Sequence, residues 1–324
     1  MKYLSLFSGI GGFELGIHNA FKTSKQKAVC IGYSEIDRHA ITVYEKKFPS
    51  HKNLGDVRTI NTDEIKHFDL LVGGFPCQAF SIAGKRLGFA DPEKGTQFFE
   101  IARILRDKRP RYFLLENVKG ILSHDNNITF KIIIATLDEL GYDVEWQVLN
   151  SKDFGVPQNR ERVFIVGHLR GTSRPKIFSF GRQTNPHNTK SQSAETAVAR
   201  TLTAGANHSG MTIIQLNDTR YSEKRIYSDQ GIAPTLTTLA DKQPKIARTI
   251  RTGGRSSPHG SKQNWDSYAI KGKIRRLTPI ECERLQGFPD NYTKGISTTQ
   301  RYKTLGNAVT VNVIEELIKA MFRK

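Results

Sequence analysis

Short apolar runs alternate with amphipathic stretches along the first half of the chain. The alternating polarity of residues 2–7 is typical of a β-strand, and the glycine-rich stretch after it opens an amphipathic segment that ends near Phe21. The same criteria predict strands at 28–34, 69–72, 111–115, 144–150 and 163–167, and helices at 37–48, 96–106 and 127–140. Strands that alternate with helices indicate an open α/β sheet, whose ligands bind beyond the carboxyl ends of the strands.

The second half of the chain has a different pattern. Residues 168–274 are rich in Thr, Ser, Gly, Asn, Arg and Lys and poor in long apolar runs, which predicts a smaller β- and loop-rich domain. Regular secondary structure is predicted again from Thr278, where a capping box with Pro at the first helical position indicates a helix to about Leu285. Cys282 lies inside this helix and is expected to be a core residue. A last helix is predicted from Leu305 to Phe322.

Charge narrows the choice of partner. The 324 residues include 49 Lys plus Arg against 31 Asp plus Glu, a net charge of +18, which favours a polyanion such as nucleic acid over a generally solvated basic surface. No apolar run reaches membrane-spanning length and the N-terminus lacks a signal-peptide profile, so we expect a cytosolic protein. Three scattered cysteines are too few for a disulfide framework or a metal site.

One of these cysteines occupies a position suited to chemistry. Cys77 follows a predicted buried strand, and Pro76 restricts the backbone just before it. A thiol held beyond the carboxyl end of a strand is a candidate nucleophile, although a small buried residue in a tight turn is the alternative. The polar, basic stretch 81–95 that follows is long for a loop, which suggests a mobile lid.

Three features near strand ends suggest a bound cofactor. The glycines at 9, 11 and 12 follow a strand and open a helix, but they lack the dinucleotide spacing and a P-loop lysine, so a cofactor without phosphates fits better. Glu35 ends the second strand, where it is suited either to ribose hydroxyls or to capping the next helix. Asp56 ends another extended segment and is suited to an adenine amino group.

Two further stretches suggest a pocket for a heterocycle. Glu116 lies between apolar Leu115 and Val118, so we expect partial burial, a raised pKa and a role as proton donor; the alternative is a neighbour of a helix N-cap. Gln158, Arg160 and Arg162 fall on one face of an extended segment, where guanidinium groups bind phosphate or a carbonyl oxygen, or form salt bridges on a surface strand.

Taken together, these pieces resemble the cytosine-C5 DNA methyltransferases of bacterial type II restriction–modification systems over nearly the whole chain. The stretches that carry the resemblance are Phe7-Ser8-Gly9-Ile10-Gly11-Gly12-Phe13, Gly74-Phe75-Pro76-Cys77-Gln78, Glu116-Asn117-Val118, Gln158-x-Arg160-x-Arg162, Arg276 to Pro289, and Gly306-Asn307-Ala308-Val309. Six motifs in the family's order make chance agreement negligible.

The resemblance implies a Rossmann-like, S-adenosylmethionine-dependent methyltransferase fold with a mainly parallel sheet. It implies a catalytic and cofactor-binding domain at residues 1–167 plus 300–324, and a small β/loop-rich target-recognition domain at 168–299, across a DNA cleft. The cofactor residues that it implies are Phe7, Gly9, Gly11, Gly12, Glu35, Ile36, Asp56, Val57, Gly74, Pro76, Asn307 and Ala308.

The resemblance also implies the chemistry. Cys77 would attack C6 of a flipped-out cytosine, Glu116 would hold and protonate N3, and Arg162 with Arg160 would contact the pyrimidine oxygen or a nearby phosphate. No metal is expected. The implied DNA contacts are Gln78, Ser81, Lys85, Arg86, Gln158, Arg225, Gln230 and Thr235, of which Gln230 and Thr235 follow from no motif.

Two other functions are weighed against this one. A tRNA cytosine methylase shares these motifs, but the long, glycine-rich stretch 168–274 is like that of the DNA enzymes; a catalytically silent DNA-binding homologue would not need Cys77, Glu116 and Arg162. The resemblance implies a monomer acting on double-stranded DNA in the cytoplasm of a bacterium, encoded by that bacterium or by a phage. The sequence leaves open the recognised DNA sequence and whether a restriction endonuclease is encoded nearby.

Overall fold

A computed structural model of the chain describes residues 1–22, 24, 26–76, 97–172, 177, 267–270 and 273–322. Cys77, the predicted lid and most of the predicted small domain therefore lie outside the described residues. None of the described helices combines the length and apolar character that crossing a membrane requires.

A six-stranded sheet forms the centre of the described structure, in the order β2-β1-β3-β4-β6-β5. The strands are β1 Lys2–Leu6, β2 Val29–Ser34, β3 Leu70–Gly74, β4 Tyr112–Val118, β5 Tyr142–Asn150 and β6 Glu161–Leu169. The first four strands pair in parallel, whereas β6 runs antiparallel to both of its neighbours, β4 and β5. The predicted mainly parallel α/β sheet is confirmed, with one reversed strand that the sequence did not indicate.

Helices cover both faces of this sheet. They are α1 Gly12–Phe21, α2 Arg38–Lys47, α3 Gln97–Lys108, α4 Ile128–Glu139, α5 Pro279–Leu285, α6 Thr298–Asn307 and α7 Val311–Phe322. Side chains along a strand alternate between faces, so Leu71 packs in a core with α3 and α4, while Leu70 and Val72 pack in a second core with α1 and α7. This two-sided burial explains why β3 is apolar at consecutive positions.

The C-terminal region corrects one prediction. The single helix expected from 305 to 322 is two helices, α6 and α7, because Ala308 is extended, with φ −69° and ψ 153°, and interrupts the helical ladder. Asn307 therefore ends a helix instead of beginning one. The break allows α7 to pack closely on α1, where a Cβ at Gly16 would lie 2.7 Å from Cβ of Ile314.

The described part of the predicted small domain contains β7 Ser267–Ile270 and β8 Lys273–Arg276, which form an antiparallel pair. The capping box that starts α5 is confirmed, since Glu281 N donates to Thr278 Oγ1 at 3.3 Å and Thr278 N donates to Glu281 Oε2 at 2.7 Å. Cys282 is buried, as expected, in a third core that also contains Ile10 of the first loop. The proposed domain boundaries at 167 and 299 stay a prediction.

Glu14 is a carboxylate in the interior of this fold. It lies in α1, is 1% exposed, and its Oε1 accepts a 3.0 Å hydrogen bond from the Tyr44 hydroxyl. Burial raises the pKa of Glu14 from 4.5 to about 7, against hydrogen bonds from Ser5 and Tyr44 that favour the ionised form. A pKa that is higher in the folded than in the unfolded chain means that stability is lost as pH rises between these two values.

We therefore expect Glu14→Gln, a neutral side chain of the same shape, to remove this pH dependence. The free energy of unfolding of the variant minus that of the wild type should grow by about 3 kcal/mol between pH 4.5 and pH 7. Urea unfolding over this range measures it, with Glu139→Gln as the control, since Glu139 is an exposed carboxylate at the end of α4. If the free energy of unfolding changes with pH in the same way in the wild type and in Glu14→Gln, Glu14 is not the source of the pH dependence.

Candidate active site

A cavity of about 400 Å³ opens at the carboxyl ends of β1 to β4. The turn between α6 and α7 and the start of β6 close it from the other side. Most of the predicted cofactor and catalytic residues line this cavity; they are Phe7, Gly9, Glu35, Ile36, Asp56, Val57, Gly74, Pro76, Glu116, Arg160, Arg162 and Asn307. Its size is that of a typical small-molecule site.

The glycine-rich turn after β1 needs its glycines for conformation and for packing. Gly9 and Gly11 have φ values of +56° and +89°, which side chains disfavour. A Cβ at Gly11 would lie 2.5 Å from Phe48, and one at Gly12 would lie 2.8 Å from Val309. Gly11 and Gly12 thus lie behind the cavity wall, and only Gly9 of the three lines it.

Glu35 ties this turn to the end of β2. Its Oε2 accepts from the backbone N–H of Gly9 at 2.8 Å, and its Oε1 accepts from Ile36 N and Asp37 N, each at 2.8 Å. The alternative that Glu35 caps α2 is wrong, because Asp37 is the N-cap and accepts from His39 N at 2.9 Å. Each oxygen of a carboxylate has two acceptor positions, so Glu35 can still bind a ligand hydroxyl.

Asp56 lines the cavity next to Val57 and has an ion-pair partner that the sequence analysis did not consider. Arg58 donates from Nε to Asp56 Oδ1 at 3.0 Å, and the Arg58 backbone N–H donates to the same oxygen at 3.0 Å. These hydrogen bonds hold the pKa of Asp56 below its usual value, so it is an acceptor at neutral pH.

Glu116 and Arg162 form a largely buried ion pair at the inner end of the cavity. Arg162 Nε lies 3.0 Å from Glu116 Oε1, and the two side chains are 15% and 11% exposed. Gly74 is the register partner of Glu116 on β3, and a Cβ there would lie 3.1 Å from Glu116 Oε2, so glycine leaves room for the carboxylate. Burial raises the pKa of Glu116, as the sequence predicted, while the charges of Arg162 and Arg160 oppose the rise.

Arg160 faces the same cavity but has a different set of partners. Its Nη2 donates to the carbonyl oxygens of Gly306 at 3.2 Å and Ala308 at 2.8 Å. Within the described part of the chain, Nε and Nη1 of this buried guanidinium have no hydrogen-bond partner. Arg160 therefore connects the predicted catalytic residues to the turn that carries Asn307. Ala308, which was predicted to contact the cofactor, does not line the cavity.

Asn117 is a residue to which the sequence analysis gave no role. It is buried, and its Nδ2 donates to the carbonyl oxygen of Phe75 at 2.9 Å. This bond holds the backbone of Phe75, which is two residues before Cys77, beside the end of β4 that carries Glu116. Its place between Glu116 and Val118 in a recognised motif was the only signal in the sequence.

The remaining predicted residues are not part of the described cavity. Gln158 is fully buried and does not line it, so its predicted DNA contact stays a prediction. The others lie outside the described residues; they are Cys77, Gln78, Ser81, Lys85, Arg86, Arg225, Gln230 and Thr235.

Comparison with known proteins identifies the family. The C-5 cytosine-specific DNA methylase family matches residues 1–323. The chain is 40% identical over 321 residues to the type II methyltransferase M1.ScrFI of Lactococcus lactis subsp. cremoris, covering 99% of this chain and 77% of that one. It is 35% identical over 332 residues to the type II methyltransferase M.HhaI of Haemophilus parahaemolyticus, covering 97% and 92%.

A solved structure agrees at the level of the fold. The chain matches DNMT2 of Spodoptera frugiperda with a TM-score of 0.65 and 22% identity, over 99% of both chains. Together with the family match and the identities above, the cavity at the strand ends leads to one conclusion: this chain belongs to the C-5 cytosine-specific DNA methylase family.

Proposed function

We propose that this protein transfers a methyl group from S-adenosylmethionine to C5 of cytosine in a specific short duplex DNA sequence, as the protective methylase of a restriction–modification system. The observation that carries the proposal is the buried Glu116–Arg162 pair, 3.0 Å apart, on the wall of a cavity that Pro76 also lines. Pro76 directly precedes the candidate nucleophile Cys77, so the parts of a base pocket and a cofactor pocket meet in one place.

The residues around the cavity fit the proposed cofactor. Glu35 with Ile36 is suited to the ribose and adenine, Asp56 with Val57 to the adenine, and Asn307 to the methionine end. Gly9 allows a ligand to approach the backbone closely. When bound, S-adenosylmethionine supplies an electrophilic methyl group.

The proposed residues divide the chemistry between them. C5 of cytosine is a weak nucleophile until the Cys77 thiolate bonds to C6, and Glu116 gives its proton to N3 as that bond forms. C5 would then accept the methyl group that S-adenosylmethionine would supply, whose bond to the sulfonium sulfur breaks and leaves S-adenosylhomocysteine. Loss of the C5 proton to a base breaks the bond between sulfur and C6, and N3 returns its proton to Glu116. The raised pKa of Glu116 suits this role, because burial favours the protonated form that gives the proton to N3.

Arg162 is suited to the pyrimidine oxygen. Its Nε lies against Glu116, which places a cation beside the carboxyl group assigned to N3, and N3 is bonded to the carbon that carries this oxygen. A cytosine can enter such a pocket only after it leaves the stack, so the mechanism requires base flipping. We assign closure over the flipped base to the stretch 81–95, with Gln78, Ser81, Lys85 and Arg86 as DNA contacts.

The charge distribution supports a duplex DNA partner. Between residues 168 and 274 the sequence has 17 Lys plus Arg against 6 Asp plus Glu, so most of the net charge of +18 falls in the predicted target-recognition domain. Arg225, Gln230 and Thr235 are proposed DNA contacts within it. The named relatives are type II methyltransferases of bacteria, so we propose that the protein acts as a monomer in a bacterial cytoplasm, with a restriction endonuclease encoded nearby.

Methyl transfer to two substrates tests the proposed function. Purified protein is given radiolabelled S-adenosylmethionine with either bacterial genomic DNA or bulk tRNA. We expect label in the DNA, and bisulfite sequencing of DNA from cells that express the chain should place it at C5 of cytosine within one short recurring sequence. Label in tRNA alone would make the protein a tRNA methylase, and label in neither would leave the silent DNA-binding homologue.

We expect Cys77→Ser to abolish methyl transfer while binding of DNA and cofactor is retained, because serine replaces only the nucleophilic sulfur. Covalent trapping on a duplex with 5-fluorocytosine, mapped by mass spectrometry, measures the bond directly. The control Cys30→Ser should still form the adduct, since Cys30 lies at the start of β2. An adduct on another residue, or turnover by Cys77→Ser, would end this assignment.

For Glu116→Gln we expect a fall in kcat of about 10²- to 10⁴-fold, because the amide cannot give a proton to N3. The affinity for S-adenosylhomocysteine should change less than about threefold, which is no more than the loss of one weak contact would cause. The matched control is Glu161→Gln, which removes the partly exposed carboxylate that pairs with Lys119 at 3.0 Å. A large loss of cofactor affinity in Glu116→Gln would place Glu116 in the cofactor pocket instead.

A further inference from the structure

The end of α6 and the turn after it border the cavity through Gly306 and Asn307. Asn307 is exposed and lines the cavity, whereas Leu305, Gly306 and Ala308 are buried. Leu305, Gly306 and Asn307 are the last residues of α6, which ends because Ala308 is extended. The carbonyl groups at this end have no further helical turn to donate to them, so side chains from elsewhere in the chain bind them.

Two buried side chains bind three carbonyl groups of this turn. Arg160 Nη2 donates to the oxygens of Gly306 and Ala308, at 3.2 and 2.8 Å. Gln286, which follows α5, donates from Nε2 to the oxygen of Leu305 at 3.3 Å. Asn307, which lies between these bonded residues, is left facing the cavity.

Thr310 connects these two side chains through a chain of hydrogen bonds. Its hydroxyl donates its one proton to Gln286 Oε1 at 2.8 Å and lies 2.8 Å from the Ser151 hydroxyl. The Ser151 hydroxyl thus has two acceptors within reach, Thr310 Oγ1 and the carbonyl oxygen of Arg160 at 3.3 Å. The Ser151 backbone N–H in turn donates to the carbonyl oxygen of Arg160 at 3.0 Å.

We propose that the chain Arg160–Ser151–Thr310–Gln286 is a positioning network, which sets the conformation of the Asn307 turn and thereby the affinity for the cofactor. None of Ser151, Thr310 and Gln286 lines the cavity, and each is at most 3% exposed. Buried hydrogen bonds are costly to leave unmade, so losing one member displaces the others. The inference rests on the proposed function only in placing S-adenosylmethionine against Asn307.

Thr310 is the best position for a test, because valine has the shape of threonine without its hydroxyl. Thr310→Val removes the contact of the Ser151 hydroxyl with Thr310, so that hydroxyl keeps only the carbonyl oxygen of Arg160 at 3.3 Å. It also leaves Gln286 Oε1 without the donor that Thr310 supplies, so the Gln286 amide is free to leave Leu305. Thr310→Ser keeps the hydroxyl and should restore the network. The control for general loss of stability is Thr62→Val, which removes a buried hydroxyl that donates to Asp107 Oδ2 at 2.9 Å.

The readout is the dissociation constant of S-adenosylhomocysteine, measured by isothermal titration calorimetry on the full chain without DNA. We expect Thr310→Val to bind about tenfold more weakly than wild type, the equilibrium effect of one ordinary hydrogen bond, and Thr310→Ser to stay within about twofold. Thr62→Val should lower the unfolding temperature yet bind like wild type.

Each other outcome counts against the inference. Wild-type affinity in Thr310→Val overturns it, and so does an equal loss in Thr62→Val, because affinity would then follow stability alone. If Thr310→Val does not fold, Gln286→Met removes the bond to Thr310 and the bond to Leu305 at nearly constant volume, and it must show a comparable weakening. A wild-type protein that binds no S-adenosylhomocysteine would instead overturn the cofactor assignment of the proposed function, and this inference with it.

Discussion

The buried ion pair of Glu116 and Arg162 is the interaction around which the site is arranged. Burial alone would leave Glu116 protonated well above its ordinary pKa, and an unpaired carboxylate there would be costly. Arg162, 3.0 Å away, offsets part of that penalty and keeps the carboxyl able to gain and lose a proton. A carboxyl whose pKa burial raises and a neighbouring cation lowers is suited to giving a proton to a ring nitrogen and taking it back.

The reversed strand explains how this pair can form. Residues that follow parallel strands gather at one edge of the sheet, and Glu116 reaches that edge near the end of β4. Because β6 runs antiparallel to β4, the beginning of β6 lies at the same edge, and Arg162 is the register partner of Val118. An all-parallel sheet would place the start of β6, and its arginines, at the opposite edge. The single antiparallel strand is therefore a requirement of the site.

The sequence was sufficient to predict what depends on local pattern. Apolar runs located the six strands, and the capping box at Thr278 was identified because all of its atoms lie within four residues. Glu35 and Asp56 were recognised as acceptors at strand ends, and both line the cavity. Local pattern did not predict the break at Ala308, whose carbonyl is bound by Arg160 from 148 residues away. Nor did it indicate the direction of β6, which depends on pairing between distant strands.

The start of β6 also relates the two halves of the proposed site to each other. Arg162 binds the carboxylate of the proposed base pocket, while Arg160 binds the turn that presents Asn307 to the proposed cofactor pocket. Two residues apart in an extended chain are separated by about 6.6 Å, with side chains on the same side. Methyl transfer requires the donor carbon and the acceptor ring to be held within a few tenths of an ångström of a reactive distance. A short stretch of rigid backbone that contacts both pockets can maintain that distance, whereas two pockets held by separate loops would vary independently.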